Sequence, residues 1–323
     1  MIKNKRILLT GGAGFIGTKL CEVLSEKNKI LIYDNLNRNS IKNTKLLDRD
    51  NIRLIEGDIL DFQHIKEVVN EFKPQIIIHL AAVAGIDTVI RNPVNTMQVN
   101  MIGTYNILES IKNLNIERFI DFSTSEVFGS YAYKVDEKHT TNLAPVGEAR
   151  WTYSVSKLAG EHLAHSYYKQ YGLPIVTVRP FNIYGPGQVG EGAVHHFVKR
   201  AIVNEEIQIH GDGDQIRSWC YIDDFVQGIL LCIEKDEAVG NSFNIGNPKG
   251  TITISMLAKL VKDIAKSKSE IVYILKTYVD VELRIPSIDK AKEILGYIPK
   301  YDLEVGIERT INWYRGRSEE RRV

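Results

Sequence analysis

Two residues near the middle of the chain carry its strongest chemical signal. Tyr153 and Lys157 stand four apart in Trp151-Thr152-Tyr153-Ser154-Val155-Ser156-Lys157, a run that reads as the start of a helix reaching about Tyr171. Residues at that spacing share one helix face. A neighbouring ammonium favours the phenolate and lowers a phenol's pKa. A base brought toward neutrality can then take a proton from a hydroxyl. Upstream, Glu117-Arg118-Phe119-Ile120-Asp121-Phe122 reads as a strand that delivers Ser123-Thr124-Ser125-Glu126 at its carboxyl end. Hydroxyls and a carboxylate there suit chemistry better than packing, although Ser123 and Ser125 also suit an ordinary turn.

A Tyr-x-x-x-Lys pair alone is common on solvated helix faces, and its weight comes from the elements around it. The chain opens on an apolar run, Ile7-Leu8-Leu9-Thr10, then Gly11-Gly12-Ala13-Gly14-Phe15-Ile16-Gly17, then a helical segment. Strand, glycine turn and helix form the first half of a dinucleotide-binding unit, with Gly12-x-Gly14-x-x-Gly17 or Gly11-x-x-Gly14-x-x-Gly17 as its fingerprint. Glycine is needed where backbone approaches a pyrophosphate, which rests on free N–H groups at the helix start. A second apolar run, Lys29 to Tyr33, ends in Asp34, near the offset of about 20 residues for the acid that accepts the ribose hydroxyls. A carboxylate there repels a 2′-phosphate and favours NAD over NADP, a preference that the nearby Arg38 weakens slightly. Pro74 to Ala82 is a further buried strand; its small terminal residues leave room for a planar ligand, and its His79 reads as a hydrogen-bonded core residue.

Strand and helix alternate to about residue 180, which predicts an α/β fold, a Rossmann-type doubly wound parallel sheet covered on both faces. The alternation then loosens. Residues 1–180 are expected to bind the coenzyme, and 181–323 to form a smaller C-terminal α/β domain for substrate, with some segments returning to the first. Pro93 to about Leu114 reads as one long helix, with Asn100 either exposed or reaching into the site. Residues 130–150 read as irregular, residues 287–315 as two helices, and the tail from Arg315 as frayed.

With 41 basic and 40 acidic residues, nothing suggests nucleic acid or a membrane surface. Cys21, Cys220 and Cys232 are unclustered and read as core fillers rather than disulfides or metal ligands. No apolar run approaches the roughly 20 residues of a membrane span. The opening residues leave no stretch for a signal peptide, so a cytoplasmic enzyme is expected. His195 and His196 diverge on a helix, and Asp212 and Asp214 lack a full calcium ligand set; no metal is expected.

These motifs together resemble the extended short-chain dehydrogenase/reductase family acting on nucleotide sugars, the epimerases, 4,6-dehydratases and uronate decarboxylases. The marks are Thr10 to Gly17, Gly57-Asp58-Ile59, His79-Leu80-Ala81-Ala82, Ser123 to Gly129, Tyr153 to Lys157, and Arg179-Pro180-Phe181-Asn182-Ile183-Tyr184-Gly185-Pro186. The resemblance implies Tyr153 as base, Thr124 holding the sugar O4, and Lys157 also holding the nicotinamide ribose. It places NAD against Gly11, Gly14, Phe15, Ile16, Gly17, Asp34, Asn35, Asp58, Ile59, Leu80, Ala81, Ala82 and Asn100. Ser125, Asn182, Arg217 and Arg284 would meet the UDP- or GDP-linked sugar, the arginines gripping its diphosphate, which suits a planar fork. The family also implies a homodimer through helices at about 93–114 and 151–171.

All these reactions begin with oxidation at C4. Dehydratases of the family carry Asp-Glu after the Thr, whereas here the pair is Ser125-Glu126, which decarboxylases also resemble; plain epimerases have small residues. The expectation is a 4,6-dehydratase acting on an NDP-hexose or NDP-N-acetylhexosamine with Glu126 as the C5 base. The alternatives are a C4-epimerase, a UDP-glucuronate decarboxylase, an NADP-linked reductase, or a non-catalytic NAD-binding regulator.

Overall fold

The computed structural model describes residues 2–143, 145–276 and 278–320. Its centre is a seven-stranded sheet, all parallel. We label β1 (Arg6–Thr10), β2 (Lys29–Asp34), β3 (Ile52–Glu56), β4 (Ile76–His79), β5 (Arg118–Phe122), β6 (Tyr131–Val135) and β7 (Ile175–Pro180). The order runs from the strand Ser242–Ile245 through β7, β5, β4, β1 and β2 to β3. The order in which successive strands are added reverses between β1 and β4, and the carboxyl ends of these two parallel strands frame the crevice where open α/β sheets take ligands. The strands are apolar on both sides because both sides are covered. Ile7, Leu9, Ile78, Ile120 and Val178 pack into one core, while Leu8, Leu31, Ile77, Phe119 and Ile175 pack into the other.

A second sheet of four strands runs Thr251–Thr253, Ile216–Ser218, Leu283–Pro286, β6. The two sheets exchange chain: Ser242–Ile245 from the C-terminal part completes the large sheet, and β6 from the N-terminal part closes the small one. Residues 130–150 are therefore less irregular than expected, because β6 finds a partner at Leu283–Pro286, too far along the chain for local pattern to show. The strands on either side of the turn at 211–215 do not pair with each other. Ile207–His210 lies beside Ile271–Ile274, and Ile216–Ser218 beside the two strands already named.

Two helices also differ from expectation. The long helix from Pro93 is three pieces, Pro93–Met97, a widened turn Gln98–Ile102 and Gly103–Ile111. Its Asn100 is neither exposed nor open to the site. The side-chain amide accepts from Val83 N (2.8 Å) and donates to Val83 O (3.0 Å) and Ser156 Oγ (2.9 Å). Within 287–315 a single widened turn, Ala291–Leu295, precedes the final helix Leu303–Glu320. That helix continues through residues expected to fray; 321–323 lie outside the described residues.

Candidate active site

The glycine turn is built by close packing. Gly11 has φ +70°, and a Cβ there would lie 2.5 Å from Ala81 N; one on Gly17 would lie 2.5 Å from Gly12 Cα. A Cβ on Gly14 would meet nothing closer than Gly11 O at 3.4 Å, so its bare Cα faces open space at the start of helix Phe15–Leu24. No side chain caps that helix, which leaves the first-turn amides of Phe15, Ile16 and Gly17 to an outside anion. Asp34 ends β2, accepting from Ala13 N at 2.9 Å and Leu36 N at 2.7 Å. Burial raises its pKa, against these two N–H donors. Arg38 does not turn toward it. The Arg38 guanidinium donates to Ala84 O at 2.6 Å and faces Glu191 at 3.7 Å, so Asp34 is left as a hydroxyl acceptor. This donor and acceptor set fits NAD.

The remaining residues expected at the coenzyme fall into two groups. Leu80, Ala81 and Ala82 follow β4, the first two backing onto Gly11, while Ala82 and Asn35 are exposed. Asp58 is exposed and caps its own turn through Leu60 N (2.9 Å), whereas Ile59 is buried against Gly103. Asn100 acts from behind, pinning the backbone at Val83.

Tyr153 and Lys157 lie on the helix Ala149–Tyr171. Tyr153 borders an open cavity of about 200 Å³ that also touches Thr124, Ser125, Glu126, Arg150, Asn182 and Arg284. The phenol is pushed up to about 12 by burial and by the Glu126 charge, against a hydrogen bond from Thr124. The net shift is upward, and the lowering expected from the Lys157 ammonium is not among the larger influences. Lys157 is itself lowered by burial and supported by Asp121 and Glu161. Thr124 is extended at the end of β5, and its Oγ1 accepts from Glu126 N at 3.1 Å, setting the short turn that aims Glu126 inward. His79 is a core residue, bonded to Thr10 (2.7 Å) and Thr104 (3.1 Å) and held neutral near pKa 3 by burial.

The substrate side is a knot of charge. Glu126 meets Arg150 at 3.1 Å and Arg284 at 3.4 Å; Asp280 meets Arg150 at 3.3 Å and Arg217 at 3.6 Å. Arg217 and Arg284 sit side by side because their parallel strands pair at those two residues. Burial raises the Glu126 pKa, but the two guanidiniums outweigh it and hold the carboxyl below its usual range. Three guanidiniums against two carboxylates leave one positive charge for an anionic ligand. Asn182, at φ +45°, donates to Ser218 O (2.9 Å) and ties the segment after β7 to the four-stranded sheet.

Sequence reasoning missed Arg150, Asp280 and Glu191. Arg150 was findable, standing three before Tyr153 on the same helix face. Glu191 was not: its carboxylate reaches back to accept from Asp87 N (2.9 Å), Thr88 N (3.1 Å) and Thr88 Oγ1 (2.7 Å), strapping a glycine-rich loop to the helix Ile86–Arg91. Ser40 adds a bond to Gly187 O at 2.6 Å.

Glycine cradle, acidic strand end and Tyr-Lys helix define a dinucleotide-dependent enzyme of the parallel α/β type. A model of the NAD dependent epimerase/dehydratase family matches residues 7–246; the chain belongs to that family, and its cofactor is NAD. UDP-glucuronic acid decarboxylase 6 of Arabidopsis thaliana is 36% identical over 312 residues, covering 94% of this chain and 87% of the relative. A dTDP-D-glucose 4,6-dehydratase of Dictyostelium discoideum is 33% identical over 268 residues, covering 80% of this chain and 62% of the relative. The crystal structure of UDP-glucuronic acid 4-epimerase from Bacillus cereus, in complex with UDP-glucuronic acid and NAD, superposes with a TM-score of 0.88 at 28% identity, covering 96% of this chain and 99% of that one. Among the described residues no helix is long and apolar enough to cross a membrane, and no cluster of metal-ligating side chains occurs.

Proposed function

We propose that this protein oxidises C4 of a UDP-linked hexuronic acid and releases the sugar's carboxylate as carbon dioxide. The observation that carries this reading is the pair Arg150 and Arg284, which line the cavity beside Thr124 and Tyr153. Tyr153 takes the O4 proton while Thr124 holds the oxygen. NAD, when bound, would take the two electrons lost at C4 and would give them back where the product is a pentose; release of a 4-keto pentose would leave the coenzyme reduced. The product is a β-keto acid. Its C5–C6 bond breaks with the electron pair moving toward the C4 oxygen, where Tyr153 and Thr124 stabilise the charge, and a proton then enters at C5. Decarboxylation needs no base at C5; the sugar's carboxylate has only to be seated, and the one positive charge left over once Glu126 and Asp280 are paired supplies that seat beside Arg150 and Arg284.

Dehydration, the expectation drawn from Ser125-Glu126, places heavier demands on the same residues. Glu126 would have to take the C5 proton while pinned as an anion by two arginines, and Ser125 would have to protonate a departing hydroxyl. Glu126 beside Thr124 nevertheless keeps that reading in play, and one experiment separates the two. NMR of products from UDP-glucuronic acid and UDP-N-acetylglucosamine is expected to show a pentose or 4-keto pentose with release of carbon dioxide from the first, and no 4-keto-6-deoxy sugar from the second. The reverse pattern supports the dehydratase, and a C4 epimer with carbon retained supports an epimerase. Under the dehydratase reading, Glu126→Gln slows turnover far more than it weakens NAD binding.

The chain is also expected to pair with a second copy through helices Pro93–Ile111 and Ala149–Tyr171, where Val94, Ile102, Tyr105 and Val155 are exposed. Light scattering at the mass of one chain would exclude it.

A further inference from the structure

Register across the large sheet puts Thr10 beside His79, His79 beside Asp121, Asp121 beside Thr177, and Thr177 beside Ser242. Register neighbours in a parallel sheet point to the same face, so these side chains form a buried polar row across strands that are otherwise apolar. The helix Ala149–Tyr171 lies over it, presenting Lys157 and Glu161, 3% and 4% exposed.

The ends of the row are satisfied. His79 is bonded to Thr10 and Thr104. Ser242 donates to Glu161 at 2.7 Å, and Glu161 holds Arg179 in a fork with a closest contact of 2.8 Å. The middle is not. Asp121 is 1% exposed and accepts one long bond, from Thr177 Oγ1 at 3.3 Å; among the described residues it has no ion pair within 4.0 Å. A carboxylate stripped of water with one weak donor is costly, and a central parallel strand would be better served by an apolar residue. Packing gives no reason for an acid here; the charge on Lys157 does.

We infer that Asp121 is a positioning residue for the reaction, the buried counter-charge that keeps Lys157 an ammonium beside Tyr153 and so sets the alkaline limit of the C4 oxidation. The inference rests on Tyr153 and Lys157 carrying that oxidation, and is indifferent to which product follows. The charged and titratable groups facing Asp121 are His79 from β4 and Lys157 and Glu161 from the overlying helix, with Arg179 of β7 reaching Glu161. His79 stays neutral, and Glu161, raised by burial, is held down more strongly by Arg179. Asp121 is pushed up to about 6 by burial, against the pull of Lys157. Above that point Lys157 is the group among these whose charge is left to change.

The test is the pH profile of turnover in Asp121→Asn, which keeps the shape and removes the charge. Losing the counter-charge lowers the Lys157 pKa, so the alkaline limb should move about one pH unit lower, a loss of about tenfold at a fixed pH on that limb. Asp121→Leu, the apolar residue that a central parallel strand holds best, also removes the charge and should shift the limb the same way; it decides the matter should Asp121→Asn not fold. NAD binding and thermal melting confirm that each variant is intact. Folded, NAD-binding variants whose profiles superpose on the parent would overturn the inference. An active Tyr153→Phe would instead remove the reading of the site on which it rests.

Discussion

The coenzyme side and the substrate side of this cleft are made of different materials. Around the glycine turn, recognition comes from backbone: bare Cα atoms, uncapped amides, and one carboxylate held by two N–H groups. Around Glu126 it comes from long side chains sent in from a helix, two strands of another sheet and a loop. Backbone recognition is enforced locally by sterics and tolerates no added atom. Side-chain recognition is enforced by charge balance over distance, where each member is replaceable at the cost of its partners' neutrality.

Substitutions can break or sharpen this contrast. The largest effect belongs to the residue where the two sides meet: Tyr153→Phe should cost about 10²–10⁴-fold in turnover while NAD binding, followed by fluorescence, stays near the parent. Gly11→Ala tests the backbone side. Its Cβ would sit on Ala81 N in a positive-φ conformation, so we expect a loss of about 2–4 kcal/mol in stability, read by chemical denaturation, together with lost NAD binding. Arg150→Met tests the charge side. It should leave NAD binding intact, raise KM for a uronate substrate, and weaken the fold's acid resistance. The sign follows from Glu126. Its folded pKa is depressed, so its stabilisation is present above the ordinary Glu range and lost as pH falls through the folded value; removing Arg150 moves that loss to higher pH, measurable by melting below pH 5. The smallest effect is Ser40→Ala, about 1 kcal/mol, since it removes one bond to Gly187.

The same contrast decides what could be read in advance. The glycine spacing, Asp34 and the Tyr153-Lys157 pair were legible because each carries a local pattern of its own, a tight turn, a strand end or a helical spacing, even though Gly11 packs on Ala81 and Asp34 on Ala13. The alternating apolar runs revealed a parallel sheet for the same reason. Arg217 and Arg284 were named through resemblance, but their adjacency depends on a strand pairing across 67 residues, which no local pattern encodes. Asp280 and Glu191 carry no motif at all; the fold alone brings them to Arg150 and Thr88. Asn100 was legible as an anomaly, a polar residue on an apolar face, yet its role depended on Val83 and Ser156 converging on its amide.

The strap formed by residues 185–192 has a mechanical consequence. Glu191 quiets amides of a helix roughly a hundred positions earlier, so swinging the loop away leaves those donors bare at about 1 kcal/mol each. Cutting that tether by Glu191→Ala should therefore loosen the helix at Ile86–Arg91 as much as the loop itself, although the two lie about a hundred positions apart.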